Sequence, residues 1–243
     1  MYESVQKLAG QLRLNGIYHS VIKRCEESLS ASLHPAEFLR LILEDEQLAR
    51  KNILAKRLAT RAKFRSQCDI ENWDMNTPRG ISKAKLQDLS CGSFQKRKEN
   101  LIIRGQTGVG KTHLAIALGR VLCSQGVSVE FYSINLFFES IQAEKAAGRY
   151  LAKLAKLTKT DVLIFDDFGL RNYSHDEAMV LLEVLEERYG KGTVIITSQV
   201  EPDGWKRLFE DSVASDSIVD RLSNPSDSVL LVGDTYRKKI KRN

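Results

Sequence analysis

The apolar positions of this chain change period twice. Phe38, Leu39, Ile42 and Leu43, then Ile53, Leu54 and Leu58, recur at roughly helical spacing, and no proline follows Pro35 until Pro78. Side chains spaced three or four apart share one face of a 3.6-residue turn, so residues 1–65 are predicted to form a small helical N-terminal domain. Residues 66–95 lose that period and hold Trp73, Pro78 and Gly80, which reads as a linker packed onto the next domain. From residue 100 the pattern changes again. LIIRG (101–105), VSVEFYS (127–133), DVLIFD (161–166), TVIITS (193–198) and SVLLVG (228–233) are predicted strands. Between them THLAIALGRVLCSQG (112–126), a stretch of roughly 134–157, and HDEAMVLLEVLEERYG (175–190) are predicted helices. Fully apolar strands alternating with helices imply an α/β domain over 96–243, its parallel sheet sandwiched by helices.

Composition bounds this picture without changing it. The longest uninterrupted apolar runs, Leu114–Leu118 and Ala178–Leu182, are five residues, too short to cross a bilayer, so no membrane partner is expected. MYESVQKLAG lacks a basic region followed by an apolar core, so no secretory signal is expected. Cys25, Cys68, Cys91 and Cys123 are scattered without metal-ligand spacing and read as reduced thiols of a cytoplasmic protein.

Charge adds a candidate partner. The net charge is +6 (37 basic, 31 acidic), and its placement matters more than its size. Seven basic residues and no acidic one lie between Arg50 and Arg65, among them Lys51, Lys56, Arg57 and Arg61. The tail YRKKIKRN adds five more. Such clusters suit a polyanion such as DNA, and equally a solvated helix face.

The chemistry lies in GQTGVGKT (105–112), which fits G-x-x-x-x-G-K-[ST] after a strand and at the opening of a helix. Gly105, Gly108 and Gly110 let the backbone curl so that its N–H groups face inward and cradle phosphate oxygens at the positive end of the helix. Nucleotide contacts are expected along the whole run: Gly105, Gln106, Thr107, Gly108, Val109, Gly110, Lys111, Thr112 and His113. Lys111 would reach the β- and γ-phosphates, and the Thr112 hydroxyl would ligate Mg²⁺.

TDVLIFDDFGL (160–170) is open to two readings, since Asp167-Phe168-Gly169 also spells the magnesium triplet of a protein kinase. A kinase needs a G-x-G-x-x-G loop and an H-R-D segment upstream, and neither is present. The ATPase reading holds instead. The 55 residues from Lys111 to Asp166 leave room for helix, strand, helix and strand, which would put Asp166 beside Thr112 at the metal and Asp167 at an attacking water. A polar group at the end of VIITSQ (Thr197, Ser198 or Gln199) would face the γ-phosphate from a neighbouring strand.

Together GKTHLAIALG, DVLIFDDFGL, VIITSQ, IVDRL, FLRLILEDEQLARKN and KRLATRAKF resemble the AAA+ initiator and loader group, specifically the IstB-type helper ATPases of insertion-sequence transposition; the DnaC-type helicase loaders are close relatives. The resemblance runs from about Phe38 to Arg237. It implies an AAA+ P-loop fold, ATP with Mg²⁺, Walker A at Lys111 and Thr112, and Walker B at Asp166 and Asp167. It also implies a first sensor at Ser198 or Gln199, an arginine finger at Arg221 reaching the next subunit, and a second-sensor arginine at Arg237. Asp167 stands where AAA+ proteins usually carry glutamate; the IstB-type branch resembles this chain in using aspartate there. The ten residues after Gly233 are too few for the usual helical lid. In this group an inserted helix lines the DNA channel; here the matching segment is 144–157, where Lys145, Arg149, Lys153 and Lys156 are spaced to share one helix face.

The resulting expectation is an ATP-dependent regulator that forms homo-oligomers on duplex DNA and assists a transposase. A helicase loader, a small-molecule phosphotransferase and a slow-turnover ATP-binding scaffold are the alternatives.

Overall fold

A computed structural model describes residues 2–75 and 77–235. The chain divides into two compact units, Met1–Arg57 and Leu58–Asn243. In the first, α1 (Tyr2–Gln11) and α2 (Asn15–Ala31) precede the long α3 (Pro35–Ala62). The helices meet closely at Gly16, where a Cβ would run into the backbone of Asp45 and Glu46. There the buried Glu46 carboxylate accepts the N–H groups of Gly16 (2.7 Å) and Ile17 (3.3 Å). An acid at a helix N-terminus satisfies donors that the helix itself cannot. Arg24 grips Asp45 through Nε (2.8 Å) and Nη2 (2.9 Å), a two-pronged contact between α2 and α3.

The second unit takes the last residues of α3 from Leu58 onward. A 3₁₀ turn at Ile70–Asn72, α4 (Lys83–Ser90) and α5 (Ser93–Lys96) follow. Ser82 caps α4 by accepting the Lys85 N–H. Residues 66–95 supply Trp73, Leu86, Leu89 and Phe94 to a buried core.

After them come β1 (Asn100–Gly105), α6 (Lys111–Ser124), β2 (Val129–Ser133), α7 (Ile134–Ala146) and α8 (Tyr150–Lys159). The chain continues through β3 (Val162–Phe168), α9 (His175–Arg188), β4 (Thr193–Ser198), the short α10 (Pro202–Trp205), α11 (Ser212–Ser223) and β5 (Ser226–Leu231). All five predicted strands form, within two residues at either end. They pair in parallel in the order β2-β3-β4-β1-β5. Helix α6 covers one face, with Leu114, Ala115, Ile116, Ala117 and Leu118 all buried. Helices α7, α9 and α11 cover the other with Phe137, Leu181 and Ile218. Buried parallel strands need apolar cover on both faces, which the sequence pattern anticipates. Among the described residues no helix is long and apolar enough to cross a membrane.

One prediction is corrected. The helix expected over roughly 134–157 is two helices, parted at Gly148. Gly148 has φ +68°, and the N–H groups of Gly148 and Arg149 turn back to the carbonyls of Lys145 and Glu144. A left-handed glycine after the last turn ends a helix by satisfying its orphan carbonyls.

Candidate nucleotide site

The sheet order determines what can meet at its carboxyl edge. Strand β4 lies between β1, which leads into the glycine loop, and β3, which carries the two aspartates. Its end therefore lies between the two. The loop itself needs its glycines: Gly105, Gly108 and Gly110 have φ of +147°, +86° and +106°. A Cβ on Gly105 would run into the Leu231 carbonyl, and one on Gly108 into the Thr235 side chain. Gly110 leads straight into α6, so the loop's backbone N–H groups lie at a helix N-terminus. Buried Lys111 lies along the loop and donates through Nζ to the carbonyls of Gly105 (2.8 Å) and Gln106 (2.9 Å). Gln106 and Thr107 are exposed at the loop tip, whereas Val109 is buried in the core.

The glycine-loop motif and the acidic strand meet through a hydroxyl. Thr112 Oγ1 donates to Asp166 Oδ1 at 2.7 Å, and Thr197 Oγ1 donates to the same oxygen at 2.6 Å. Thr197 Oγ1 in turn accepts the backbone N–H of Asp167 at 3.0 Å. Asp166 is fully buried; burial pushes its carboxyl above the usual range, opposed by the Thr197 and Thr112 hydrogen bonds and by Arg65. Its second oxygen, Oδ2, has no aligned hydrogen-bond donor, although Arg65 Nη2 stands 2.8 Å away as a charge contact.

This donor set fits Mg²⁺, a hard cation that takes oxygen ligands: one hydroxyl, one buried carboxylate and a lone pair without an aligned partner. Among the described residues no three His, Cys, Asp or Glu side chains cluster as a metal site, so such an ion would depend on phosphate oxygens for further ligands.

Asp167 sits at a break in the pairing of β3 with β4, between Phe165 and Phe168, and has φ +61°. Aspartate tolerates the left-handed region better than most residues. The break turns the Asp167 side chain out toward solvent while Phe168 stays buried among Tyr173, Trp205 and Phe209. The phenylalanine of the kinase-like triplet is thus a core residue of β3.

The other predicted residues divide. Gln199 is at the site, its Oε1 accepting from Thr107 Oγ1 at 2.7 Å. Ser198 is not, which corrects that expectation. It is buried, donates to the Phe168 carbonyl (2.8 Å) and accepts from Val200 N–H (3.0 Å) and Trp205 Nε1 (3.2 Å). Its neighbour Thr197 occupies the position instead. His113 turns from the loop toward Trp73, ring centroids 5.8 Å apart, and burial holds its pKa below the usual value. Arg237 lies outside the described residues.

Arg221, near the end of α11, bonds Glu186 (2.9 Å) and the Ser217 carbonyl (3.1 Å). Its own carbonyl accepts from Asn100 at the start of β1, one strand length (roughly 16 Å) from the glycine loop. Arg221 therefore cannot serve the site of its own chain.

The basic candidates are mostly exposed. On α3, Arg50 pairs with Glu46 at 2.7 Å, and Lys51, Lys56, Arg57 and Arg61 are exposed. Lys145, Arg149, Lys153 and Lys156 do not share one helix face, because the chain breaks at Gly148. Lys145 ends α7 over the Tyr150 ring, and Arg149 pairs with Glu144. Lys153 donates to the Tyr132 hydroxyl, and Lys156 pairs with Glu130.

Arg65 is the site residue that the sequence pattern missed. It lay within a basic run, and no motif ties residues between α3 and β1 to Thr112 and Asp166, which its guanidinium touches.

A family model described as IstB-like ATP binding protein matches residues 7–243. An insertion-sequence ATP-binding protein of Sinorhizobium fredii is 33% identical over 232 residues, covering 94% of each chain. One of Mycobacterium tuberculosis is 31% identical over 229 residues, covering 94% of this chain and 91% of the relative. The insertion sequence IS21 ATP-binding protein of Pseudomonas aeruginosa is 30% identical over 238 residues, covering 98% and 90%. Among solved structures, DnaI superposes with a TM-score of 0.56 at 20% identity, covering 70% of this chain and 90% of that one. AMPPCP-bound DnaA from Aquifex aeolicus gives 0.59 at 19% identity, covering 74% and 56%. At these identities the structural likeness is one of fold.

Proposed function

The chain belongs to the IstB-like ATP-binding family, with the fold of an AAA+ P-loop NTPase, and from that premise we propose that it is an ATP-gated helper that assembles on duplex DNA and assists a transposase. The observation that carries the catalytic half is the Thr112–Asp166 hydrogen bond, which joins the end of the phosphate loop to the acidic strand.

In this reading Lys111 exchanges its loop carbonyls for the β- and γ-phosphates of ATP. Thr112 and Asp166 hold Mg²⁺, which when bound would neutralise phosphate charge as it develops. Asp167, held by the Thr197 hydroxyl at its N–H, orients the attacking water and accepts its proton. Gln199, reaching the loop from β4, is a polar group near the transferred phosphate. Hydrolysis then acts as the timer of disassembly.

Arg221, placed away from its own site, completes the site of an adjacent subunit, so ATP is held between copies and nucleotide state controls oligomerisation. The exposed basic residues of α3, with Lys145 and Arg149 beside the α7–α8 break, give sequence-independent contacts to DNA phosphates.

A helicase-loader role is the second reading. The fold likeness to the DnaC helicase loader (TM-score 0.50, 19% identity) favours it, and it differs in the partner held by the N-terminal helices. Negative-stain imaging with duplex DNA, in parallel with ATP and with ADP, tests the proposal. Ordered assemblies with ATP alone are expected, and Lys111→Ala should abolish them. A Lys111→Ala protein that assembles normally with ATP would sink the reading.

A further inference from the structure

We propose that Arg65 is a built-in counter-ion at the metal position, which a divalent cation displaces in order to bind Thr112 and Asp166. The inference rests on the reading of that pair as the metal-holding pair. Arg65 belongs neither to the glycine loop nor to β3 or β4; it follows α3 by three residues. Even so, its guanidinium reaches Thr112 and both acidic residues. Nη2 lies 2.8 Å from Asp166 Oδ2 and donates to Thr112 Oγ1 at 3.1 Å, while Nη1 lies 3.7 Å from Asp167 Oδ2.

The reason for an arginine here is the burial of Asp166. A carboxylate with no exposure carries a large desolvation cost, and removing the guanidinium paired with it leaves more of that cost uncompensated. Mg²⁺ would satisfy the same oxygens, but a guanidinium has no acceptor to offer the ion and repels it by like charge. The two cations therefore exclude each other at Asp166 Oδ2 and Thr112 Oγ1.

The local backbone makes this exchange feasible. Ala62 is buried, and Phe64 packs edge-on to Phe131 (centroids 6.3 Å) and beneath Gly119, so the segment on the N-terminal side of Arg65 is anchored. The Arg65 side chain is itself 46% exposed and leans over the Phe131 ring at 5.9 Å. It can swing into water while its anchor stays in the core. Metal loading at the nucleotide site is thereby reported by a side chain next to the end of α3.

Titrating MgCl₂ into the full-length protein with a fluorescent ribose-labelled ATP, starting from EDTA, tests this. Arg65→Ala is expected to lower the half-saturating Mg²⁺ by about five- to tenfold. A structural defect would instead weaken nucleotide binding at saturating Mg²⁺, where on this proposal the Arg65 side chain is already displaced. Arg65→Gln, which keeps a hydrogen-bond donor without the charge, serves if the alanine variant does not fold and should shift in the same direction. Asp166→Ala is the control for the metal reading and should lose the Mg²⁺ dependence. If Asp166→Ala loses it while both Arg65 variants keep or raise the wild-type Mg²⁺ requirement, displacement is wrong and the metal pair stands. If Asp166→Ala keeps the wild-type dependence, the metal reading fails and the inference falls with it.

Discussion

Thr197 shows how much one hydroxyl organises. It donates to Asp166 and accepts from the Asp167 backbone, so it fixes both acidic residues from the strand between loop and acid. Thr197→Val keeps the shape and removes both hydrogen bonds. Leaving the Asp167 N–H unpaired, and Asp166 Oδ1 with the Thr112 hydroxyl as its remaining donor, should destabilise the protein by about 1–3 kcal/mol, read from urea midpoints at pH 7. The sign of the pH dependence follows from Asp166. Burial raises its folded pKa above the unfolded value, so folding takes up a proton, and the group favours folding most at low pH. As pH rises above the ordinary aspartate range, this advantage is lost and the carboxylate needs its donors. The Thr197→Val deficit should therefore shrink as pH is lowered; a pH-independent deficit would count against an ionised Asp166. At this scale the glycine loop, Lys111, Thr112 and the acidic pair were legible, because their spacing is itself the signal. Which of Thr197, Ser198 and Gln199 faces the acid was not, since it depends on the register shift between β3 and β4.

At the scale of the element, capping decides more than propensity. Helix α9 opens with a capping box: Ser174 accepts from the Glu177 N–H, and Glu177 accepts from the Ser174 N–H and from Arg171. The Arg171 hydrogen bond is the main cause holding the Glu177 carboxyl below its usual range, with its charge and the Ser174 N–H acting in the same direction. A depressed carboxyl stabilises above its unfolded pKa, near 4.5, and loses that contribution as pH falls through the folded value. Glu177→Gln should cost about 1 kcal/mol at pH 7 and progressively less as pH falls through the carboxyl's lowered pKa; urea unfolding across the acid range measures it, and a pH-independent loss would refute the account. The α7–α8 break makes the opposite point. Periodicity alone runs through Gly148, because a lone glycine inside a helical pattern costs little, whereas the structure uses its left-handed φ as a stop. Four lysines and arginines read as one stripe thus became two groups on separate helices.

At the scale of the whole molecule, the proposed function needs a second copy to complete the site. Arg221 and Asp167 lie at opposite ends of the sheet, so the proposed finger serves a neighbour's site. Arg221→Ala and Asp167→Asn should each lose most ATPase activity alone. Mixed, they should recover up to about a quarter of the wild-type rate, since random association pairs an intact Arg221 with an intact Asp167 at that fraction of interfaces. No recovery on mixing would place the finger elsewhere. Strand identities, fold class and the phosphate loop were determined by the sequence alone, because each is carried by local spacing, period two or 3.6, or by a contiguous motif. Tertiary structure decided that Thr197 rather than Ser198 touches the acids, that the basic segment breaks, and that Arg65 stands beside Thr112 and Asp166. Those facts depend on which residues distant in the chain are packed together and which buried charge requires a partner; residue 65 meets residue 166 only once the sheet has formed.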